Sequence, residues 1–488
     1  MQSEAIDHRE SWAARKATTQ AYHRAHGPRL TLLERQRLLL FMDLLLVNSM
    51  LVIALGLWNN IPPSATVLSA NYKWFVTLSL LWYIIGQTLD LYSPVRAAST
   101  TAIVISSSVA GLLTGLIYVA IPWLTPPLQR RFYIFGFVGL TILAITLWRA
   151  LYARLLAQSA FERRVLIVGN GKISERLADE LNAAARAERA NPLRGTGYHI
   201  LGFVNTLPVG QKKVLDPAHS LIRLIRKVGI DEVLVSEDAP LSPTLHEALL
   251  DCRELGIPVT PLAEVYARLT NRLPIDYASH NLRLIVGRDD DLGYRLYCAV
   301  KYVIDILLAL VGIAVIGVLI PFVAVVNALT SPGPLFYRQQ RVGRAGQPFA
   351  VIKFRTMQPN AETDGAVWAS DHDDRVTPLG KWMRRMHIDE LPQVINILRG
   401  EMSVVGPRPE RPQFVGEISR VLPIYRARHA VKPGITGWAQ IHYPYGDSLE
   451  DARIKLEYDL YYIQNASLAL DLLIMLQTIP TMLLFKGQ

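Results

Sequence analysis

The sequence predicts three architectures in one chain: a membrane α-helical N-terminal bundle, an α/β Rossmann-like middle domain, and an α+β C-terminal domain anchored by a re-entrant helix-break-helix. Three observations carry this expectation. Hydrophobic residues make up 51% of the 488 and charged residues only 19%, a balance tilted toward membrane proteins. The apolar residues concentrate before residue 155, around 302–329 and at the C-terminus, while the stretches between read as soluble protein. Between 160 and 285, short apolar runs alternate with amphipathic ones, the βαβ rhythm of a doubly wound parallel sheet.

Residues 1–36 are polar and basic and lack the apolar core and cleavage site of a signal peptide, so they read as a tail. Four apolar stretches follow within 37–155, at 37–58, 74–92, 102–124 and 133–152. Each is near the ~20 residues a helix needs to cross a bilayer. Basic residues cluster before the first (Arg9 to Arg37) and around the end of the fourth (Arg149, Arg154, Arg163, Arg164), whereas 58–72 holds no Lys or Arg. That asymmetry puts the tail and everything from 155 onward in the cytoplasm, with Arg130 and Arg131 standing against it.

In the middle domain, Gly169 and Gly171 follow the first strand, RVLIV, as in a dinucleotide fingerprint. Ser174 occupies the place of the third small residue, and the second strand ends in Asn205 where a ribose-binding acid belongs. A strand-to-helix turn that simply requires glycine explains the pattern without a cofactor. The domain therefore reads as regulatory or structural.

Residues 296–330 carry a fifth apolar helix, interrupted by Pro321 and holding Asp305 near its start. Read as a span, it would carry the rest of the chain to the far side of the membrane. Proline removes a helix hydrogen bond and bends the chain. A helix that enters, kinks at Ile320-Pro321 and returns to the same face is the expected alternative, leaving 331–488 as the C-terminal domain.

The net charge is +10, suited to an anionic membrane surface or to phosphorylated ligands. No helix-turn-helix, zinc-ligand or RNA-binding signature is present, which argues against nucleic acid as a partner. Two cysteines, Cys252 and Cys298, exclude a disulfide framework.

The C-terminal domain gathers Arg338, Arg341, Arg344, Lys353, Arg355, Arg375, Arg384 and Arg408 among glycines and prolines. Guanidinium groups bind phosphate oxygens in bidentate fashion, so the set suits a pyrophosphate. The Gly and Pro residues read as fixing loop shapes near a ligand. Within RRMHIDELPQ, Asp389 and Glu390 are adjacent. Acids favoured at a helix start and paired with nearby arginines are one explanation, and chemistry is the other.

The motifs KFRTM, DELPQ, GPRP and KPGITGWAQ occur in this order across roughly 296–488. In this the chain resembles the large form of the monotopic phosphoglycosyl transferases, bacterial polyprenyl-phosphate hexose-1-phosphate transferases that begin exopolysaccharide and O-antigen repeat units. The resemblance implies an inner-membrane, multi-pass enzyme with a cytoplasmic catalytic domain. It would exchange UDP-hexose and undecaprenyl phosphate for undecaprenyl-diphospho-hexose and UMP, with Mg2+. It also implies that Asp389 is the nucleophile, that Glu390 helps hold the metal, and that Lys353, Arg355, Arg384 and Arg408 contact phosphate or nucleotide. Pro321 then matches the family's membrane break. Glucose is the first choice of hexose, and a homo-oligomer is left open.

Two departures stand out. Small members carry Ser-Pro at the break, where this chain has Ile320-Pro321, and IHYPYGDS at 441–448 replaces a Gly-Arg-containing stretch after GWAQ. The C-terminal LALDLLIMLQTIPTMLLF, 468–485, reads either as a helix lying in the membrane interface or as core packing. Two other functions compete. A membrane-tethered NAD-dependent nucleotide-sugar dehydratase or epimerase would use the GNGKIS segment, but 160–285 has no Tyr-x-x-x-Lys pair. A scaffold for export machinery would not need DELPQ and GPRP together.

Overall fold

The computed structural model describes residues 32–58, 64–89, 91–92, 100–126, 133–155, 163–169, 198–204, 221, 225, 228–236, 243–280, 291–358, 375–443, 446 and 448–483. The chain divides into two compact units, 1–265 and 266–488.

In the first unit, helices cover all four expected apolar stretches: α1 (Leu32–Trp58), α2 (Tyr72–Thr88), α3 (Thr100–Val119) and α4 (Tyr133–Leu155). By length and composition α1 and α4 can each cross a membrane; α2 has 17 residues and the apolar part of α3 is shorter than that threshold. Leu39, Leu78, Trp82 and Ile145 fill the bundle core, while Phe41, Leu80, Ile105 and Leu147 face outward. An outer surface of this kind suits hydrocarbon rather than water. Helices α3 and α4 approach closely because α3 carries a Gly-x-x-x-Gly pattern: a Cβ on Gly111 or Gly115 would meet Ile142 at 2.6 Å or Val138 at 2.2 Å. Buried Asp43 pairs with Arg149 inside the bundle, so neither charge is left unmatched.

Strands β1 (Arg163–Val168), β2 (Tyr198–Val204) and β3 (Glu232–Val235), helix α5 (Pro243–Glu254) and strand β4 (Val259–Pro261) follow. The strands form one parallel sheet in the order β2-β1-β3-β4. Its central strands are buried apolar runs, as parallel strands covered on both faces must be. Gly169 has φ 126°, and a Cβ there would lie 2.5 Å from Ser236 Cβ. The backbone conformation and the neighbouring strand end thus require this glycine. Gly171, Ser174 and Asn205 lie outside the described residues.

The sequence reading ends the middle domain at 285, but the boundary between units falls within α6 (Leu262–Thr270). Leu273, together with Ile275 and Ala278 of α7 (Ile275–His280), packs with Ile418, Tyr425, Leu456 and Leu460 of the second unit. Beyond β4 no further strand of this sheet is present among the described residues, and Leu273, Ile275 and Ala278 are buried against C-terminal helices.

The second unit contains α8 (Leu292–Thr330), β5 (Phe336–Val342), β6 (Pro348–Phe354), α9 (Pro378–Arg385), α10 (Val394–Leu398), β7 (Ser403–Val405), α11 (Pro412–Val421), β8 (Gly434–Thr436), α12 (Leu449–Asn465) and α13 (Leu468–Leu483). Strands β5 and β6 make an antiparallel hairpin, and β7 and β8 a short parallel pair.

Helix α8 runs for 39 residues with Pro321 inside it, so the expected break at Ile320-Pro321 is not a break in the helix. One stripe of α8, Asp305, Ala309, Gly312, Ile316, Ile320, Val323 and Asn327, faces the domain, at helical i+3 and i+4 spacing. Ile316 and Val323 belong to one core cluster with Phe354, Met383 and Ile397, so packing holds the helix on both sides of the proline. Leu307, Val311, Val318, Phe322, Val325 and Leu329 are exposed on its other flanks. Near the N-terminal end, Asp471 of α13 accepts hydrogen bonds from Tyr297 (2.9 Å), Lys301 (2.8 Å) and Tyr462 (2.8 Å). That network explains an acid within an apolar terminal helix.

Candidate active site

The acid pair lies on a 3-10 helix, Ile388–Gln393, and both carboxylates are buried. The turn entering it is formed by His387 in a left-handed conformation (φ 57°), uncommon for a residue other than glycine. Glu390 N donates to His387 O at 3.2 Å and closes that turn. Pro392 and the buried Gln393 complete the short helix, and α10 continues from it. Asn396 stitches this segment to β6: its Oδ1 accepts from Ile352 N (3.1 Å) and its Nδ2 donates to Ala350 O (2.8 Å). Lys353, one residue beyond that anchor, is thereby held beside the acids.

Glu390 is the paired acid. Its Oε1 accepts from Lys353 Nζ at 2.7 Å and from Arg408 Nη2 at 2.8 Å, and Oε2 from Arg408 Nη1 at 3.4 Å. Burial alone would raise its pKa, but Arg408 and Lys353 overturn that and hold the carboxyl well below the usual range. Lys353 is itself pushed down from the ordinary lysine value, because burial outweighs the attraction of Glu390. Asp389 is the unpaired acid: among the described residues its carboxylate accepts no hydrogen bond. Burial, followed by the like charge of Glu390, pushes its pKa up against the pull of Lys353, Arg384 and Arg408.

Of the cations expected here, Lys353 and Arg408 bond to Glu390, and Arg384 contributes its charge while donating from Nε to Thr356 Oγ1 at 3.0 Å. Arg355 has a different task. All five of its donors are used within the fold, on Pro334 O, Ser331 Oγ, Met357 O, Asn327 Oδ1 and Ser331 O. It caps the C-terminal end of α8 rather than facing the acid pair. Pro321 lies within α8 and takes part in none of these polar contacts.

The motif glycines also do something other than the sequence suggested. A Cβ on Gly406 would meet Lys432 O at 2.4 Å, one on Gly434 would meet Gly406 N at 2.1 Å, and one on Gly437 would meet Gly406 O at 2.3 Å. GPRP and KPGITG are therefore two backbones in contact, joined by Gly406 N to Thr436 O (2.9 Å) and Gly434 N to Pro407 O (3.0 Å). Gly380 likewise admits the Thr356 carbonyl, where a Cβ would stand at 2.1 Å. GPRP is thus braced by KPGITG, while Arg408 of GPRP and Lys353 of KFRTM reach Glu390 of DELPQ. Asn396 escaped the sequence reading, although a polar residue within the apolar VINIL was the available signal.

The bacterial sugar transferase family matches residues 296–485. A UDP-glucose:undecaprenyl-phosphate glucose-1-phosphate transferase of Xanthomonas campestris pv. campestris is 30% identical over 364 residues, 71% of this chain and 72% of that protein. One of the same name from Caulobacter vibrioides is 36% identical over 225 residues, 46% of this chain and 84% of that protein. The chain belongs to the bacterial sugar transferase family. Another relative, the UDP-N-acetylgalactosamine-undecaprenyl-phosphate N-acetylgalactosaminephosphotransferase of Aeromonas hydrophila, is 42% identical over 246 residues, 50% of this chain. The match spans 57% of the Aeromonas protein's length. The family's match begins at residue 296, within α8, so the membrane-type helix and the acid pair both fall inside the sugar transferase region.

Proposed function

We propose that this sugar transferase moves hexose-1-phosphate from a UDP-hexose to undecaprenyl phosphate, giving undecaprenyl-diphospho-hexose and UMP, the first membrane step of an exopolysaccharide or O-antigen repeat unit. The observation that carries the reading is the division of state between neighbours: Asp389 buried and, among the described residues, without a hydrogen bond, Glu390 paired with Lys353 and Arg408. A carboxylate attacks a dianionic diphosphate only where cations offset the charge. Asp389 Oδ attacks the β-phosphorus, the bond from that phosphorus to the bridging oxygen breaks, and UMP leaves with the electron pair. Undecaprenyl phosphate then attacks the same phosphorus and releases Asp389 as a carboxylate.

Magnesium fits the donor chemistry. It takes hard oxygens, commonly one or two carboxylates completed by phosphates and water. Among the described residues the Asp389 carboxylate accepts no hydrogen bond, and Glu390 Oε2 meets Arg408 alone, at 3.4 Å. Among the described residues no group of three or more His, Cys, Asp or Glu could hold a metal, so the pair would need substrate phosphate to complete the shell. Bound there, the ion would offset diphosphate charge. Lys353, Arg384 and Arg408 supply the remaining cations.

The catalytic unit stays on the cytoplasmic face of the inner membrane, with α8 as a re-entrant anchor. Support comes from its polar attachments: Asp305 Oδ1 accepts from Val404 N at 3.0 Å and Asn327 Oδ1 from Arg355 at 2.8 Å. These residues are about 33 Å apart along a straight helix. A helix standing across the bilayer would put them at opposite faces, yet one domain is bonded to both. The middle sheet is a structural or regulatory element in this reading, and the contact at Ser236 gives Gly169 a packing reason that needs no cofactor.

The relatives' names give both glucose and N-acetylgalactosamine, so the proposal is of a UDP-hexose. Purified protein with undecaprenyl phosphate, magnesium and a panel of UDP-sugars tests it by UMP release. Multiple-turnover release that depends on both the lipid and one UDP-sugar supports the reading, and no release with any sugar contradicts it.

A further inference from the structure

We propose that Arg428 and Arg341 are positioning residues that grip the loop carrying Arg408 by its backbone and so aim the Arg408 guanidinium. The inference deepens the function proposed above and rests on it for what Arg408 is aimed at, the donor phosphates. The loop is Gly406-Pro407-Arg408-Pro409-Glu410, and its two prolines have no N–H with which to brace it. Instead, four consecutive carbonyls are each held from outside. Pro407 O accepts from Gly434 N (3.0 Å), Arg408 O from Arg428 Nη2 (2.9 Å), Pro409 O from Arg341 Nη1 (3.0 Å) and Glu410 O from Val342 N (2.9 Å).

Each arginine is itself held. Arg428 is 6% exposed, lies 2.8 Å from buried Asp459 of α12 and donates to the Tyr425 hydroxyl. Arg341 donates from Nε (3.0 Å) and Nη2 (2.6 Å) to Gln339, two residues back on the same face of β5. A buried Arg–Asp pair is a poor stabiliser in itself, since apolar side chains would fill the volume as well. What the charged version adds is a donor at a backbone carbonyl. That carbonyl belongs to the residue whose side chain reaches Glu390 at 2.8 Å.

The test uses the full-length protein and two readouts. The first is hydrogen exchange of the Gly434 and Val342 amides, which donate to Pro407 O and Glu410 O of the loop, independent of any activity. In Arg428→Lys and Arg341→Met, both should exchange at least about tenfold faster, while peptide 350–357 is unchanged. The second is UMP affinity by calorimetry, in a double-mutant cycle with Arg408→Ala. Arg428→Lys should weaken UMP about tenfold when Arg408 is present and by no more than about twofold when it is already alanine. Unchanged loop exchange in both variants overturns the inference. So does a loss of UMP affinity that multiplies with Arg408→Ala, because the arginines would then act on the fold and not through Arg408. Wild-type protein that binds no UMP would instead defeat the functional reading, and loop exchange would still decide the positioning claim. Arg341 lies on a different element from Arg428, so failure of either variant to fold leaves the other to decide.

Discussion

Asp389 and Glu390 share a peptide bond and similar burial, yet among the described residues only Glu390 is hydrogen-bonded to the cations beside them. Asp389→Asn should abolish sugar-phosphate transfer, a loss of ~10³-fold or more if it is the nucleophile. Glu390→Gln should slow transfer less and chiefly alter its magnesium dependence. The pH profile offers a finer check. Burial and the Glu390 charge raise the Asp389 pKa, so the acid limb of kcat/KM should lie above the ordinary aspartate range. Glu390→Gln removes a like charge and frees two cations, so that limb should move to lower pH; an upward move would contradict the assigned electrostatics. Arg355 makes a stability prediction instead. Arg355→Ala strands the Asn327 and Ser331 acceptors at the end of α8 and should cost roughly 2–4 kcal/mol in denaturant unfolding. Sequence alone put Arg355 with the phosphate-binding cations because residue type does not reveal which donors are already spent.

At the scale of elements, α8 was legible as an apolar helix with a proline, and Asp305 was visible within it. Its continuity through Pro321 was not, because that depends on Ile316 and Val323 packing into one cluster on either side. The same holds for the motif glycines, whose spacing suggested ligand loops and whose structure is backbone contact. Topology is testable directly. With Cys298 replaced by serine, a cysteine at exposed position 338 should resist a membrane-impermeant thiol reagent in intact cells and react after permeabilisation. Labelling in intact cells would mean that α8 crosses the membrane. Pro321→Ala should lower membrane insertion or activity if bending at this position is needed for return to the same face.

At the scale of the molecule, the strands of the middle domain were readable from the sequence, and their sheet is parallel with β1 and β3 at its centre. The boundary was misread because amphipathic helices look alike whichever domain covers them. Leu273 and Ile275 are nearly fully buried in the second unit, and Trp438 Nε1 donates to Asn271 O at 2.9 Å. Burial of two such aliphatic side chains contributes ~3–6 kcal/mol, a large share of a domain's ~5–15 kcal/mol. A fragment beginning at 262 should therefore melt several degrees above one beginning at 290 and retain UMP release. Equal melting temperatures would show that 266–280 adds nothing to the catalytic unit.

The central claim is a covalent intermediate on Asp389, and isotope exchange tests it most directly. Purified protein, magnesium, UDP-hexose and radiolabelled UMP are incubated with no undecaprenyl phosphate, and label is followed into UDP-hexose. The predicted result is exchange in the wild type and none in Asp389→Asn. Exchange that appears only when undecaprenyl phosphate is added would contradict it, making the reaction a direct attack in a ternary complex.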